Sequence, residues 1–376
     1  MADFLQYQLP PAPDEFFNKE ALNQFSAGEF PSNIRMRGQT AIALGPDVTI
    51  GAPGLFYTMR SGGIFSFGNA LDGNVTISSD TTLTADKYYD NLTVNSGITL
   101  TPAGFRIFVQ NVCTIYGTIT GNGNTGGAGA NSSGSTGGNG GTAGAALADG
   151  YLKGALAGRT GGAGGSNNAS GTAGTAGVNT SNSIGSNGVA GGAGGSVSGG
   201  GAGGAGGTAG TATASNVELI ANWQLVPLLD IGSTGAPVKM DNSASSSGAG
   251  GGGGASNSNN GGGGGGGSGS GGRIIAIYAR QLTLHPGSSI TANGGNGGAG
   301  GNSAGTGADA GGPGGGGGGG NGGQILLVYN RLINNGTITA SGGTGGVVGT
   351  GGTGTPVAGT DGVTRSPVAR QFEISL

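Results

Sequence analysis

The chemistry available to this chain is limited by how few reactive side chains it carries. Ser303 lies in Gly301-Asn-Ser-Ala-Gly305, the spacing of a strained nucleophile turn used in acyl transfer. Such a serine needs a strand-to-helix turn and a histidine to take its proton. The single histidine, His285, precedes Pro286 at the end of an apolar run, and no helix-forming segment follows Ser303. With 96 glycines in 376 residues, the match is expected by chance. Glycoside cleavage needs two carboxylates facing one bond. Beyond residue 120 the acids are Asp149, Glu218, Asp230, Asp241, Asp309, Asp361 and Glu373, and only Glu218 and Asp230 share a segment with Trp223. Cys113 is the sole cysteine, which removes an internal disulfide and any Cys/His zinc cluster. GxGxxG recurs without meaning in so glycine-rich a chain, and neither a phosphate-loop lysine nor a repeated calcium-binding aspartate accompanies it. These residues predict a protein that is not an enzyme and that uses no metal and no cofactor.

Recognition is the remaining chemistry. Residues 145–159 break the glycine monotony with Asp149, Tyr151, Lys153 and Arg159. An aromatic ring beside mixed charge is a common contact palette, and arginine pairs strongly with carboxylate or phosphate. These four residues and Trp223 are the candidate receptor contacts. A second reading makes 145–159 a small cap that buries Leu152 and Leu156 against the edge of the glycine bundle, and makes Trp223 core of the divergent strand pair around Val217–Leu229. Charged residues are only 8% of the chain and the formal net charge is −3, so no basic field exists to hold nucleic acid. Apolar runs such as Ile274–Ala279 and Ile325–Tyr329 are far shorter than the ~20 residues of a spanning helix. The expectation is a soluble protein without membrane insertion. Met1-Ala-Asp-Phe-Leu-Gln-Tyr has neither the basic nor the apolar part of a signal peptide.

Three zones must position these residues. Residues 1–70 hold Phe4, Phe16, Phe17, Phe25 and Phe30, more rings than a solvated tail tolerates, and read as a docking segment that orders against a partner. Asp14 could cap one short helix there. Residues 71–120 are β-rich, with Val75-Thr-Ile, Thr82-Leu-Thr, Asn91-Leu-Thr-Val, Gly97-Ile-Thr-Leu and Phe105-Arg-Ile-Phe-Val separated by turn residues. Residues 121–376 alternate glycine tracts with returning copies of one unit. Gly104-Phe-Arg-Ile-Phe-Val is matched by Gly272-Arg-Ile-Ile-Ala-Ile and Gly323-Gln-Ile-Leu-Leu-Val, and each is followed by a short strand centred on Ile119, Ile290 and Ile338. Copies of one strand unit with unequal insertions predict stacked β-solenoid-like rungs.

The tracts keep phase. Gly294, Gly297 and Gly300 lie three apart, as do Gly201, Gly204, Gly207 and Gly210, and Gly343, Gly346, Gly349 and Gly352. Three residues per turn is the period of an extended left-handed helix, and proline is too sparse here for collagen. Either these are flexible linkers, or they pack as polyglycine-II helices whose backbones hydrogen-bond to one another. The phase favours the second. The predicted fold is all-β with polyglycine-II helices, made of short rungs with glycine-rich insertions and little or no α-helix.

Gly-Gly-x-Gly-Gly-x tracts joined to short apolar strands resemble the glycine-rich tail-fibre and tail-tip adhesins of bacteriophages, over roughly residues 90–376. The resemblance implies a virion structural protein whose loops, carried on a polyglycine-II sandwich, touch a host glycan or outer-membrane protein. On this reading residues 1–70 bind other virion proteins, the chain can associate with itself as a homotrimer, and it is assembled in the host cytoplasm and exposed outside. A capsid decoration or head-fibre protein without a receptor role, or a glycine-rich bacterial surface protein, are the alternatives.

Overall fold

The computed structural model describes residues 48–52, 55–59, 67–152, 154–177, 180–183, 189–197, 200–209, 212–214, 254, 259–305, 310–352, 354–364 and 366–371. The chain divides into two compact units, Met1–Phe65 and Ser66–Leu376. In the first, β1 (Val48–Ala52) and β2 (Leu55–Met59) form an antiparallel pair with Val48 opposite Met59. The predicted helix after Asp14, the docking phenylalanines Phe4, Phe16, Phe17, Phe25 and Phe30, and the strand pair around Trp223 lie outside the described residues.

The second unit contains β3 (Gly73–Ile77), β4 (Thr81–Thr82), β5 (Lys87–Val94), β6 (Thr99–Thr101), β7 (Ile107–Ile115), β8 (Thr118–Thr120), β9 (Thr180–Ser183), β10 (Ala212–Ala214), β11 (Ile274–Leu284), β12 (Ser289–Thr291), β13 (Gln324–Asn334), β14 (Thr337–Thr339) and β15 (Val368–Gln371). No helix occurs among the described residues, as the composition predicts. Long and short strands alternate along the chain and enter two different sheets. The long ones form a six-stranded parallel sheet in the order β15-β13-β11-β7-β5-β3, and the short ones a five-stranded parallel sheet in the order β14-β12-β8-β6-β4. β9 and β10 make a separate parallel pair.

The strand residues explain both sheets. Alternate positions point to opposite faces of a strand, and on one face Leu92, Val94, Val109, Ile115, Ile277, Leu284 and Leu327 pack against Leu100, Ile119 and Ile290 of the short strands. Removing those side chains from water drives the two sheets together. On the opposite face Phe108, Ile274, Ala276, Tyr278, Leu326 and Val328 make a second cluster with Phe67 and Leu152. Parallel sheets buried on both faces carry nearly continuous apolar runs, which is why Ile274–Ala279 and Ile325–Tyr329 read that way. The repeat legible in the sequence becomes contact in space: Ile290 lies between Ile119 and Ile338 in register.

The long insertion between β8 and β11 and the tract between β12 and β13 therefore leave and return at neighbouring strands. Their backbones are bonded in a regular pattern. In the tract 261–273, Gly262, Gly265 and Ser268 donate N–H to the carbonyls of Gly165, Gly162 and Arg159. Gly263, Gly266, Gly269 and Gly272 donate to Gly312, Gly315, Gly318 and Asn321, while Gly264, Gly267, Ser270 and Arg273 donate to Ala130, Gly127, Asn124 and Gly121. Every third residue thus meets the same neighbouring tract. This tract and the one at 310–323 are buried along their length, with the other tracts around them. A side chain cannot enter here: a Cβ on Gly267 would collide with the carbonyl oxygen of Thr142.

Candidate functional site

Residues 145–159 are held to the aromatic face of the six-stranded sheet. Tyr88, Phe108 and Tyr278 occupy the same register position on β5, β7 and β11. Their rings stack in sequence at 4.9 and 4.7 Å between centroids, with interplanar angles of 3° and 17°. Leu152 is buried against this ladder, and its N–H donates to Gly104 O at 2.7 Å. The loop also closes on itself, Leu147 N–H donating to Ala155 O and Gly154 N–H to Asp149 Oδ1. Gly104 has φ of +86°, and a Cβ on it would lie 2.8 Å from Gly150 N and Leu152 O. Only glycine lets loop and sheet approach this closely.

Arg106 organises the electrostatics. Its Nη2 lies 2.6 Å and its Nε 2.8 Å from Asp86 Oδ2, and its N–H donates to Asp86 Oδ1. The guanidinium carbon sits 3.5 Å from the centroid of the Tyr151 ring and 5.3 Å from that of Phe108. Burial on its own disfavours the charge of Arg106, but the Asp86 carboxylate outweighs it and the pKa is raised. Arg273 is buried as well; burial lowers its pKa against the opposing charge of Asp149, and its Nη1 donates to Ala148 O at 3.0 Å.

Among the residues expected to meet a receptor, Asp149 is exposed, while Tyr151 and Arg159 are half-buried. One face of the Tyr151 ring is occupied by Arg106. Arg159 accepts the Ser268 N–H of the central tract at its carbonyl and donates its own N–H to Ser268 Oγ, and its Nε is buried without a hydrogen-bond partner among the described residues. Lys153 and Trp223 lie outside the described residues. Leu152 is buried, but against the aromatic face of the six-stranded sheet and not the edge of the glycine bundle, and Leu156 is half-buried. Asp149, Tyr151 and Arg159 thus ride on a loop fixed by Leu152, not on a free tip.

A second surface feature went unread in the sequence. Tyr116 and His285 stack with centroids 4.0 Å apart at 24°, and Tyr116 is 41% exposed. They meet because Ile115 pairs with Leu284, which puts the next residue of each chain segment at the same corner. Aligning the ends of the two matching strands would have found the pair. Ser303, the chance nucleophile match, has a buried hydroxyl without a partner among the described residues, and its N–H donates to Thr350 O. His285 is committed instead to Tyr116. No group of three or more metal-ligating side chains occurs among the described residues, and no helix among them is long and apolar enough to cross a membrane. Comparisons with protein-family models, with curated proteins and with solved structures find no match to this chain.

Proposed function

We propose that this chain is a non-enzymatic structural and adhesive component of a bacteriophage particle, a tail fibre or tail-tip protein. It attaches through residues 1–70 and exposes the glycine-rich part to the host. The tracts are polyglycine-II helices, and the alternating long and short strands are rungs of a β-solenoid-like stack. The observation that carries the reading is the threefold donor pattern of tract 261–273, in which successive residues bond to three different neighbours. A helix with three residues per turn has that symmetry. Its dense backbone bonding offsets the large entropy lost on ordering glycine.

Function follows from the mechanics. A body held by backbone hydrogen bonds and almost free of charge gives a protease little to grip. A fixed loop on such a body presents Asp149, Tyr151 and Arg159 at low entropic cost on binding. Gold-labelled antibody against residues 145–159 tests the reading on intact phage particles. Label at the distal end of the tail supports it. Label on the capsid favours a decoration protein, and absence of the chain from purified particles removes the virion reading. Deletion of residues 1–70 is expected to leave particles without the protein.

A further inference from the structure

Asparagine followed by glycine is the chain's most frequent reactive dipeptide, and the fold treats its copies unequally. We infer that Asn139–Gly140 is a site of spontaneous self-modification, and that the fold holds the Asn–Gly pairs beginning at Asn122, Asn293, Asn296 and Asn321 against the same reaction. In that reaction the Gly140 main-chain nitrogen loses its proton to solvent base and attacks Cγ of Asn139. A carbon–nitrogen bond forms, the Cγ–Nδ2 bond breaks, and ammonia leaves with a proton from water. The resulting succinimide is opened by one water molecule at either carbonyl, giving aspartate or isoaspartate. No oxidant or reductant is needed.

The reaction requires a glycine N–H free to lose its proton and a carboxamide free to turn. At Asn293–Gly294 both are held: Gly294 N–H donates to Ser341 O, and Asn293 Oδ1 accepts the Ser341 N–H at 2.9 Å. Asn296–Gly297 repeats this on Thr344, Asn321–Gly322 on Val363, and Asn122–Gly123 on Asn293. Asn139 differs. Its side chain is exposed. Its neighbours Gly138 and Gly141 donate to Gly262 and Gly265, but no described residue accepts the Gly140 N–H or bonds the Asn139 carboxamide. Asn335–Gly336 is intermediate, exposed but with the Gly336 N–H donated to Asn334 Oδ1 at 3.1 Å.

Isoaspartate lengthens the main chain by one methylene. At position 139 it would shift the register between Gly138 and Gly141, which bond to the central tract, and displace the Asn139 carbonyl from Ala130 N–H. The inference stands apart from the virion reading. Its test is peptide mapping by mass spectrometry, with isoaspartyl methyltransferase labelling, of the full chain aged at mildly alkaline pH. In native buffer, conversion at Asn139 is expected to exceed that at Asn122 and Asn293 by about tenfold or more, the factor one net hydrogen bond holds closed. In denaturant the three sites are expected to convert at similar rates, which separates protection by the fold from sequence effects. Equal conversion of the three sites in native buffer would overturn the inference. So would an intact Asn139 beside a converted Asn335.

Discussion

Asn293 donates its main-chain N–H to Oδ1 of Asn122, 171 residues earlier in the chain, at 2.7 Å. Its own Oδ1 accepts the N–H of Ser341 at 2.9 Å, 48 residues later. The same device joins Asn302 to Asn131 and Thr350. The spacings of 171 and 48 are also those of the hydroxyl contact from Thr118 to Ser289 and of the asparagine bond from Asn296 to Thr344. One register runs from the strands out into the glycine tracts, and asparagine side chains carry it where a backbone N–H has no carbonyl to meet.

If that ladder holds the tracts in register, Asn293→Ala leaves the Ser341 N–H without its acceptor. The expected loss is ~1–2 kcal/mol of unfolding free energy, measured by denaturant titration. Asn293→Asp keeps an acceptor oxygen and is expected to cost less. Equal losses for the two variants would show that the side-chain oxygen is not what matters.

Close tract packing makes a methyl group intolerable where carbonyls crowd the Cα. Gly267→Ala would drive its Cβ into Thr142 O, and overpacking of this kind costs ~1–3 kcal/mol. Thr125→Ala, at an exposed tract position, is the control and is expected to change the melting temperature little. The comparison is made by calorimetry.

Three buried acids give the fold an alkaline limit. Burial pushes the Cys113 thiol from 9.0 to about 12, and chiefly burial pushes Tyr89 and Tyr278 from 10.0 to about 12. Each binds its proton more tightly folded than unfolded, so stability is complete below about pH 9 and falls as pH rises toward about 12. Tyrosinate absorbance is expected to show Tyr89 and Tyr278 ionising late or together with unfolding. Cys113 is expected to resist thiol reagents until then.

If the chain is an adhesin, replacement of Tyr151, Lys153 and Arg159 together by alanine is expected to weaken binding to host cells sharply, with some loss of stability because the Tyr151 ring packs against Arg106 and the aromatic cluster. Leu152→Ala acts through the scaffold: a fully buried leucine lost from the aromatic face costs ~2–5 kcal/mol and is expected to expose 145–159 to protease. Normal cell binding by the triple variant would place recognition elsewhere, with Tyr116, exposed and stacked on His285, next to examine.

Much of the fold was legible because the repeat is carried by a few large side chains. Ile119, Ile290 and Ile338 recur in the same context, and they pair in adjacent strands. Period three in Gly294, Gly297 and Gly300 foretold that these residues share a face, and all three donate to the tract at 341–347. What stayed hidden depends on partners far apart in sequence. Nothing near Tyr151 announces the Arg106 guanidinium over its ring, and nothing near Asn122 marks it as an acceptor for Asn293. The absence of helix among the described residues followed from composition, whereas the parallel order of the six- and five-stranded sheets follows from where each insertion returns.

Ordered glycine is the claim on which the rest depends, and hydrogen exchange measures it residue by residue. Amides of Gly263, Gly266, Gly269 and Gly272, each donated to a carbonyl of the 312–321 tract, are expected to exchange as slowly as those of β11. Exchange of these amides at the rate of an unstructured peptide, with β11 still protected, would contradict the account.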